Sequence, residues 1–339
     1  MDWDIALILA QDGVASGAIY ALLALSLVLM FAVTRVIFIP SGEFVAYGAL
    51  TYAALDAGLV PGVVWLAGVL GGVAFALGLW RERRVGLGLI LETLVLPAAG
   101  IGLAVWLAPG KPAPLVSAVL ALVLVTPLAP AIYRIAYQRL AEASVLVLLI
   151  ASVGVHLAML GTGLLLFGAE GSRAAPFSAG NVTLGPLLVP AQTIWVFGVA
   201  AVLIAGLFGF FGFTLAGKAL RATSVNRLGA RLVGIETALS GRIAFALAGF
   251  IAAMAGVLIA PLTTIYYDSG FLIGLKGFVA AIVGGLGSYP AAALAAIGVG
   301  LVESFSSFWA SAFKEAIVFT ALIPVLLWRS LAAHEGDEE

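Results

Sequence analysis

The sequence predicts an all-α polytopic membrane protein, and three observations carry that prediction. Charged residues make up 10% of the chain and hydrophobic ones 63%, against about 25% and 45–50% in soluble domains. A soluble fold of 339 residues cannot hide so much apolar surface, because its exterior must still be covered by polar groups. The apolar residues fall in runs of roughly 20, the length that crosses a hydrocarbon core of about 30 Å. Lysine and arginine gather in alternate gaps between those runs. A water-soluble enzyme, a nucleic-acid binder and a disordered chain are thereby excluded, and a net charge of −1 offers no basic field to a polyanion.

The first run, 5–33, is interrupted by Gln11 and Asp12. The acidic start Asp2-Trp3-Asp4 lacks the basic region of a signal peptide, so this run is expected to remain as a span. The stretch 42–58 is short, 61–80 is of full length, and clear spans follow at about 85–108, 113–133, 144–167, 193–215 and 242–261. A short Gly-broken stretch at 271–288, then 290–309 and 312–330, bring the total to about eleven. With 216–241 taken as cytoplasmic, Arg35, Arg81, Arg83, Arg84, Arg134, Arg139, Arg329 and all five basic residues from Lys218 to Arg242 fall inside. Only Lys111, Arg173, Lys276 and Lys314 fall outside, which puts the N-terminus outside and the C-terminus in the cytoplasm. Dropping either short span would reverse the loops on one side of it, so both are kept. Residues 5–330 therefore read as one transmembrane domain, followed by a polar tail, 331–339. The external loop 168–192 is rich in Gly, Pro and small polar residues, and its Asn181-Val182-Thr183 fits a glycosylation sequon that is common by chance.

Little material exists for chemistry. The chain has no cysteine, and its two histidines, His156 and His334, argue against an imidazole-built metal site or a Ser–His triad. No cofactor is expected in the chain itself. Gly212 to Lys218 nearly spells a phosphate-binding loop, but Ala219 stands where the Mg²⁺-holding hydroxyl belongs, and the run leaves an apolar span rather than a strand.

Carboxylates inside spans are costly, so Glu43, Glu92 and Glu303 are candidates for function, each with a plainer reading beside it. Glu43 could cap its helix, whereas Glu92 and Glu303 could each make a polar contact between helices. Gly284-Gly285-Leu286-Gly287-Ser288 breaks a span and reads either as an unwound, pathway-lining stretch or as a close-packed turn. Gly13 and Gly17, with Ser16 and Tyr20 nearby, favour tight helix packing, and His156, alone in mid-span, reads as structural. The pathway candidates are Tyr20, Ser41, Gly42, Glu43, Gly284, Gly285, Gly287, Ser288 and Glu303.

The segment from Gly217 to Ile235 reads as a helix with an apolar stripe, Leu228, Leu232 and Ile235, and a basic face, Arg227 and Arg231. Ala222, Asn226, Ala230 and Gly234 fall on a small-residue face. Such a helix suits either a groove in a soluble partner or a bed of anionic headgroups.

Four stretches in order resemble a known family. They are "GKALRATSVNRLGARLVGI" (Gly217–Ile235), "SGAIYALLAL" with "SGEFVAYGAL" (Ser16–Leu25, Ser41–Leu50), "YRIAYQRL" (Tyr133–Leu140) and "KGFVAAIVGGLGSYPAA" (Lys276–Ala292) with Glu303. Together they resemble the permeases of branched-chain amino-acid ABC importers, the LivH type, across residues 11–330. Two departures stand out. The family usually reads Asn-Phe-Ala-His-Gly-Glu where this chain has Phe38-Ile39-Pro40-Ser41-Gly42-Glu43, and the stretch 60–110 reads as an extra helical hairpin.

The resemblance implies a transport subunit rather than an enzyme, in a bacterial inner membrane, importing branched-chain amino acids or related carboxylated or amide compounds. It implies two separate ATPase subunits that carry ATP and Mg²⁺, a LivM-like second permease or a second copy of this chain, and a periplasmic binding protein, with no nucleic acid. The coupling segment 216–241, with Arg221, Ala222, Asn226, Arg227, Ala230, Arg231 and Gly234, would dock the ATPase. The alternative from another class is an ion-coupled secondary transporter using the intramembrane carboxylates.

Overall fold

A computed structural model of the chain describes residues 3–82, 86–184, 187–321, 323–325 and 327; Arg83, Arg84, Arg329, His334 and the tail 331–339 lie outside the described residues. The helices are α1 (Trp3–Thr34), α2 (Ser41–Asp56), α3 (Val63–Glu82), α4 (Leu87–Gly110), α5 (Pro114–Leu140) and α6 (Val145–Phe167). After a short hairpin come α7 (Ala191–Phe213), α8 (Leu215–Val225), α9 (Arg227–Leu232), α10 (Thr237–Ile259), α11 (Ser269–Gly284), α12 (Tyr289–Ala310) and α13 (Lys314–Thr320). Among the described residues, eight stretches are long and apolar enough to cross a membrane: α1, α3 to α7, α10, and the run from α12 through α13 to Val325. The two spans predicted to be short correspond to α2 and α11, at 16 residues each. The loop 168–192, predicted to be external, is not wholly irregular. It holds a hairpin of β1 (Asn181–Leu184) and β2 (Leu187–Pro190), paired antiparallel with Asn181 opposite Pro190.

Small residues let the central helices touch through their backbones, which drives association where lipid offers no hydrophobic advantage. A Cβ on Gly17 would lie 2.7 Å from the Cα of Ile297, and one on Gly300 would strike the carbonyl of Gly13. The Gly13/Gly17 pair is thus the notch in which α12 lies against α1. In the same way α2 is pressed between α10 and α11, with Gly256 against the carbonyl of Val45 and Gly42 against that of Gly270. Around this centre, α3 to α7 expose Trp65, Trp106, Leu165 and Phe208, a surface suited to lipid.

One feature of the fold could not be read from hydropathy: α2 begins inside the bundle. Leu23 of α1 meets Gly277 of α11, and Gly42 meets Gly274, a single turn away along α11. Yet α1 continues past Leu23 to Thr34, about three further turns. The chain reverses at Arg35, which takes a left-handed φ of 61°. The non-helical segment 35–40 then climbs back, so the N-terminus of α2 lies level with the middle of α1.

Candidate functional site

The segment from Gly217 to Ile235 is not the single helix that its apolar stripe predicts. It breaks at Asn226, which is extended (φ −147°, ψ 101°) and whose side chain accepts the Gly229 N–H at 2.9 Å. An Asn amide can satisfy a first-turn N–H and so competes with helix continuation. Thr214 caps α8 in the same fashion, accepting from the Gly217 N–H at 2.9 Å. Gly234, at φ 86°, ends α9, and the Ile235 N–H reaches back to the Ala230 carbonyl at 2.9 Å. Ala222, Asn226, Ala230 and Gly234 therefore do not form one continuous face. Ala222 is half-buried on α8, Asn226 is the break, Ala230 is buried, and Gly234 is the stop.

The basic face is likewise corrected. Arg227 donates to the Ala141 carbonyl at 2.7 Å, and Arg231 donates to Glu142 at 2.7 Å and to the Thr237 hydroxyl at 3.1 Å. These arginines fasten α9 to the turn between α5 and α6, and the bond and charge of Arg231 hold the Glu142 carboxyl below its usual range. Arg221 donates to the Phe211 carbonyl at 3.2 Å. Beside the exposed Lys218, Arg221 and Arg231, α8 and α9 leave an apolar group open: Val225, Leu228 (67% exposed), Leu232 (80%) and Val233. Of the predicted stripe, only Ile235 is half-buried.

Each of the three candidate carboxylates, Glu43, Glu92 and Glu303, has a partner. Glu43 does not cap α2, whose N-cap position is Pro40 with no side-chain cap bond. Its Oε1 instead lies 2.7 Å from Nδ1 of His156 on α6, so His156 is not alone. Glu303 accepts the Tyr20 hydroxyl at 2.5 Å and the Lys276 ammonium at 2.5 Å, and Lys276 also reaches Glu315 at 3.1 Å. Lys276 is thus no external loop residue; it sits within α11, 5% exposed. Glu92 pairs with Arg134 at 2.7 Å and lies 3.5 Å from Arg242. Sequence reasoning missed Lys276, Glu315, Arg134 and Arg242 as partners, although a lysine inside a predicted span was itself a signal.

The Gly284–Ser288 stretch is a close-packed turn between antiparallel helices. Gly285 is left-handed (φ 92°), the Leu286 N–H bonds the Ala281 carbonyl at 2.9 Å, and Ser288 caps α12 by accepting from the Ala291 N–H at 3.4 Å. Gly284 abuts the backbone of Ala292, and Gly287 borders a cavity of about 530 Å³ together with Arg221 and Tyr289. The pathway candidates therefore divide into three groups. Tyr20 and Glu303 belong to the Lys276 network, Ser41, Gly42 and Glu43 to the start of α2, and Gly284, Gly285, Gly287 and Ser288 to the turn.

Comparison with known proteins agrees with this architecture. The profile of the family described as "Branched-chain amino acid transport system / permease component" matches residues 9–327. The permease protein BraD of the high-affinity branched-chain amino-acid transport system of Pseudomonas aeruginosa is 30% identical over 206 residues, covering 58% of this chain and 67% of BraD. The corresponding LivH of Escherichia coli is 28% identical over 205 residues, covering 58% and 66%. A probable LivH of Methanocaldococcus jannaschii is 30% identical over 192 residues, covering 55% and 61%. The chain thus spans about two thirds of the length of these curated relatives. No solved structure matches it. With nearly its whole length matched and its apolar helices in place, the chain belongs to the permease-component family of branched-chain amino-acid transport systems, as a multi-pass membrane protein.

Proposed function

We propose that this chain is the transmembrane permease subunit of an ATP-driven, binding-protein-dependent importer of branched-chain amino acids or related small carboxylated or amide compounds. Two separate ATPase subunits would hold ATP and Mg²⁺. A LivM-like permease or a second copy of the chain would complete the pathway, and a periplasmic protein would deliver the solute. The end of the bundle that carries α8 and α9 would face the cytoplasm. Arg81, Arg134, Arg139, Arg227, Arg231 and Arg242 gather there in mutual reach of Gln138, Glu92 and the α5–α6 turn, as the positive-inside bias requires.

The observation that carries the reading is the exposed apolar group of Leu228 and Leu232 on α9 with Val225 and Val233 at its two ends, while Arg227 and Arg231 of α9 are already committed within the chain. An apolar knob offered to water on a surface otherwise rich in charge marks a protein contact. A push on α9 would pass through Arg227 and Arg231 to the α5–α6 turn. It would also pass through α8 to α7 and through Thr237 to α10, tilting the helices that line the centre.

The double substitution Leu228→Asp and Leu232→Asp is expected to lower ATP-dependent uptake in proteoliposomes at least about tenfold, since central apolar anchors each carry more than about 1 kcal/mol of a contact. Co-purification of the ATPases should fall with it, while the unfolding temperature of the isolated permease stays unchanged. Retained ATPase capture and full uptake in this variant would remove the docking assignment. An ion-coupled mechanism would instead require uptake by the permease alone on an ion gradient. No observation favours it, since Glu43, Glu92 and Glu303 are each engaged by a neighbouring side chain.

A further inference from the structure

We propose that the cavity between α1, α7, α8 and α12 binds one anionic phospholipid, with its phosphate at Arg221 and an acyl chain along α1 and α7. The proposal goes beyond the importer reading and rests on the membrane-embedded fold alone.

The cavity holds about 530 Å³. Its lining reaches from Leu25 to Val33 on α1 and from Ile204 to Phe211 on α7, two turns of each helix or roughly 11 Å. Over that length the walls are apolar, with Leu25, Val33, Ile204, Leu207, Phe208 and Ala293. Phe208 is 77% exposed and Ile204 39%, so the cavity opens sideways at α7, where the hydrocarbon of a bilayer lies. Polar side chains line it at one end only. They are Arg221 and Ser224 of α8 and Tyr289 at the start of α12, and α8 begins where α7 leaves the apolar layer at Thr214. An apolar shaft at hydrocarbon depth with a cationic end at headgroup depth matches an amphiphile rather than a soluble solute.

Charge decides the sign of the headgroup. Arg134, Arg231 and Arg242 all pair with carboxylates of the chain. Arg221 has none among the described residues, and its guanidinium donates only to the neutral Phe211 carbonyl at 3.2 Å. Lys218, one turn earlier on α8 and also exposed, has no ion pair among the described residues either. Two uncompensated cations thus stand within one turn of each other at the mouth of α8. Basic pockets between spans at this depth take anionic lipid headgroups, because each nearby cation is drawn to the negative surface. The Phe211 bond also fixes Arg221 in place, and the Phe211 ring lies 5.6 Å from that of Tyr289. One guanidinium N–H is used in this way, and the others remain to donate to phosphate oxygens. The Tyr289 hydroxyl makes no hydrogen bond among the described residues and would add a donor from α12. Leu228 and Leu232 lie on α9, beyond the break at Asn226, so a lipid at Arg221 does not cover them.

The test uses the full chain, delipidated in a neutral detergent, and follows its unfolding midpoint against three additives. These are phosphatidylglycerol, phosphatidylethanolamine with the same acyl chains, and glycerol phosphate. Phosphatidylglycerol is expected to raise the midpoint, and native mass spectrometry should show one molecule retained per chain. Phosphatidylethanolamine, which has no net charge, and glycerol phosphate, which has no acyl chain, should do neither. Arg221→Gln should weaken phosphatidylglycerol binding about fivefold, the loss of one cation at the headgroup. Ala293→Trp should fill the cavity and abolish retention. Should either variant fold poorly, the preference of the wild-type chain for phosphatidylglycerol over phosphatidylethanolamine in the retained lipid carries the same decision. Equal stabilisation by phosphatidylethanolamine, stabilisation by glycerol phosphate, or no stabilisation by any of the three would overturn the site. So would unchanged affinity in Arg221→Gln or undiminished retention in Ala293→Trp. Dimers of the chain that carry no lipid would give the cavity to a second copy and overturn it equally.

Discussion

Replacing Lys276 with methionine is expected to cost about 3–5 kcal/mol of folding stability, because it removes the cation from a buried cluster and leaves its carboxylates behind. Lys276 is 6% exposed at its side chain, Glu303 14% and Glu315 34%, and the Lys276 ammonium bonds both acids. The second oxygen of Glu303 is met by the Tyr20 hydroxyl. The cluster therefore joins α1, α11, α12 and α13 at one point, across the notch cut by Gly13 and Gly17. Methionine keeps the length and apolar stem of lysine, so the change isolates the charge. Adding Glu303→Gln to Lys276→Met should recover a substantial part of the loss, since the stranded negative charge nearest the site is then gone. Unfolding of the micelle-embedded protein, measured by loss of helical signal against denaturant, reads both values. A single variant as stable as the wild type would mean that the cluster contributes nothing net.

The helical class and element order were legible because hydrocarbon imposes a run of about 20 apolar residues on any span. Depth was not legible. Ile37-Phe38-Ile39 is as apolar as a helix, and hydropathy does not show that it climbs back through the bundle in non-helical form. The charge bias failed at Lys276 for a related reason, since it counts every lysine as a loop residue while this one is neutralised in mid-helix by Glu303. Partners were hidden by distance along the chain. Sequence shows that Glu43 and His156 are costly in a span, but only packing shows that they pair across α2 and α6. At Asn226 the local signal was present, a capping residue with Gly229 three positions on, yet the helical period of Leu228, Leu232 and Ile235 spoke for continuity. Capping won because it satisfies an N–H at once, whereas the stripe has no core to face in the isolated subunit.

The hairpin of α3 and α4, which the sequence reading sets apart from the family pattern, carries charge that gives it a testable role. Glu92 lies on a π-helical turn of α4, Leu91–Val95, and Arg134 on a π-helical turn of α5, Tyr133–Tyr137. Such turns often mark functional positions, because the extra residue re-aims side chains at the expense of regular bonding. Here they bring Glu92 2.7 Å from Arg134 and 3.5 Å from Arg242 at the start of α10. Both arginine side chains are nearly buried, at 5% and 11% exposed. Arg81 from the same hairpin donates to Gln138 at 2.9 Å, and the Arg139 guanidinium lies 4.7 Å from the Trp80 ring centre. The hairpin thus ties α5, which leads into the turn that Arg227 and Arg231 hold, to α10. Glu92→Ala is expected to cost about 2 kcal/mol or more, since two guanidiniums then lose their carboxylate. It should also raise the ATP spent per solute: ATPase docking through Leu228 and Leu232 persists while uptake falls, because the push on α9 meets a loosened α5–α10 pair. Glu92→Asp, too short to reach both guanidiniums, should lie between wild type and Glu92→Ala in stability and in uptake alike. Uptake at the wild-type level in a Glu92→Ala protein that has measurably lost stability would reduce the hairpin to a structural brace with no part in transmission.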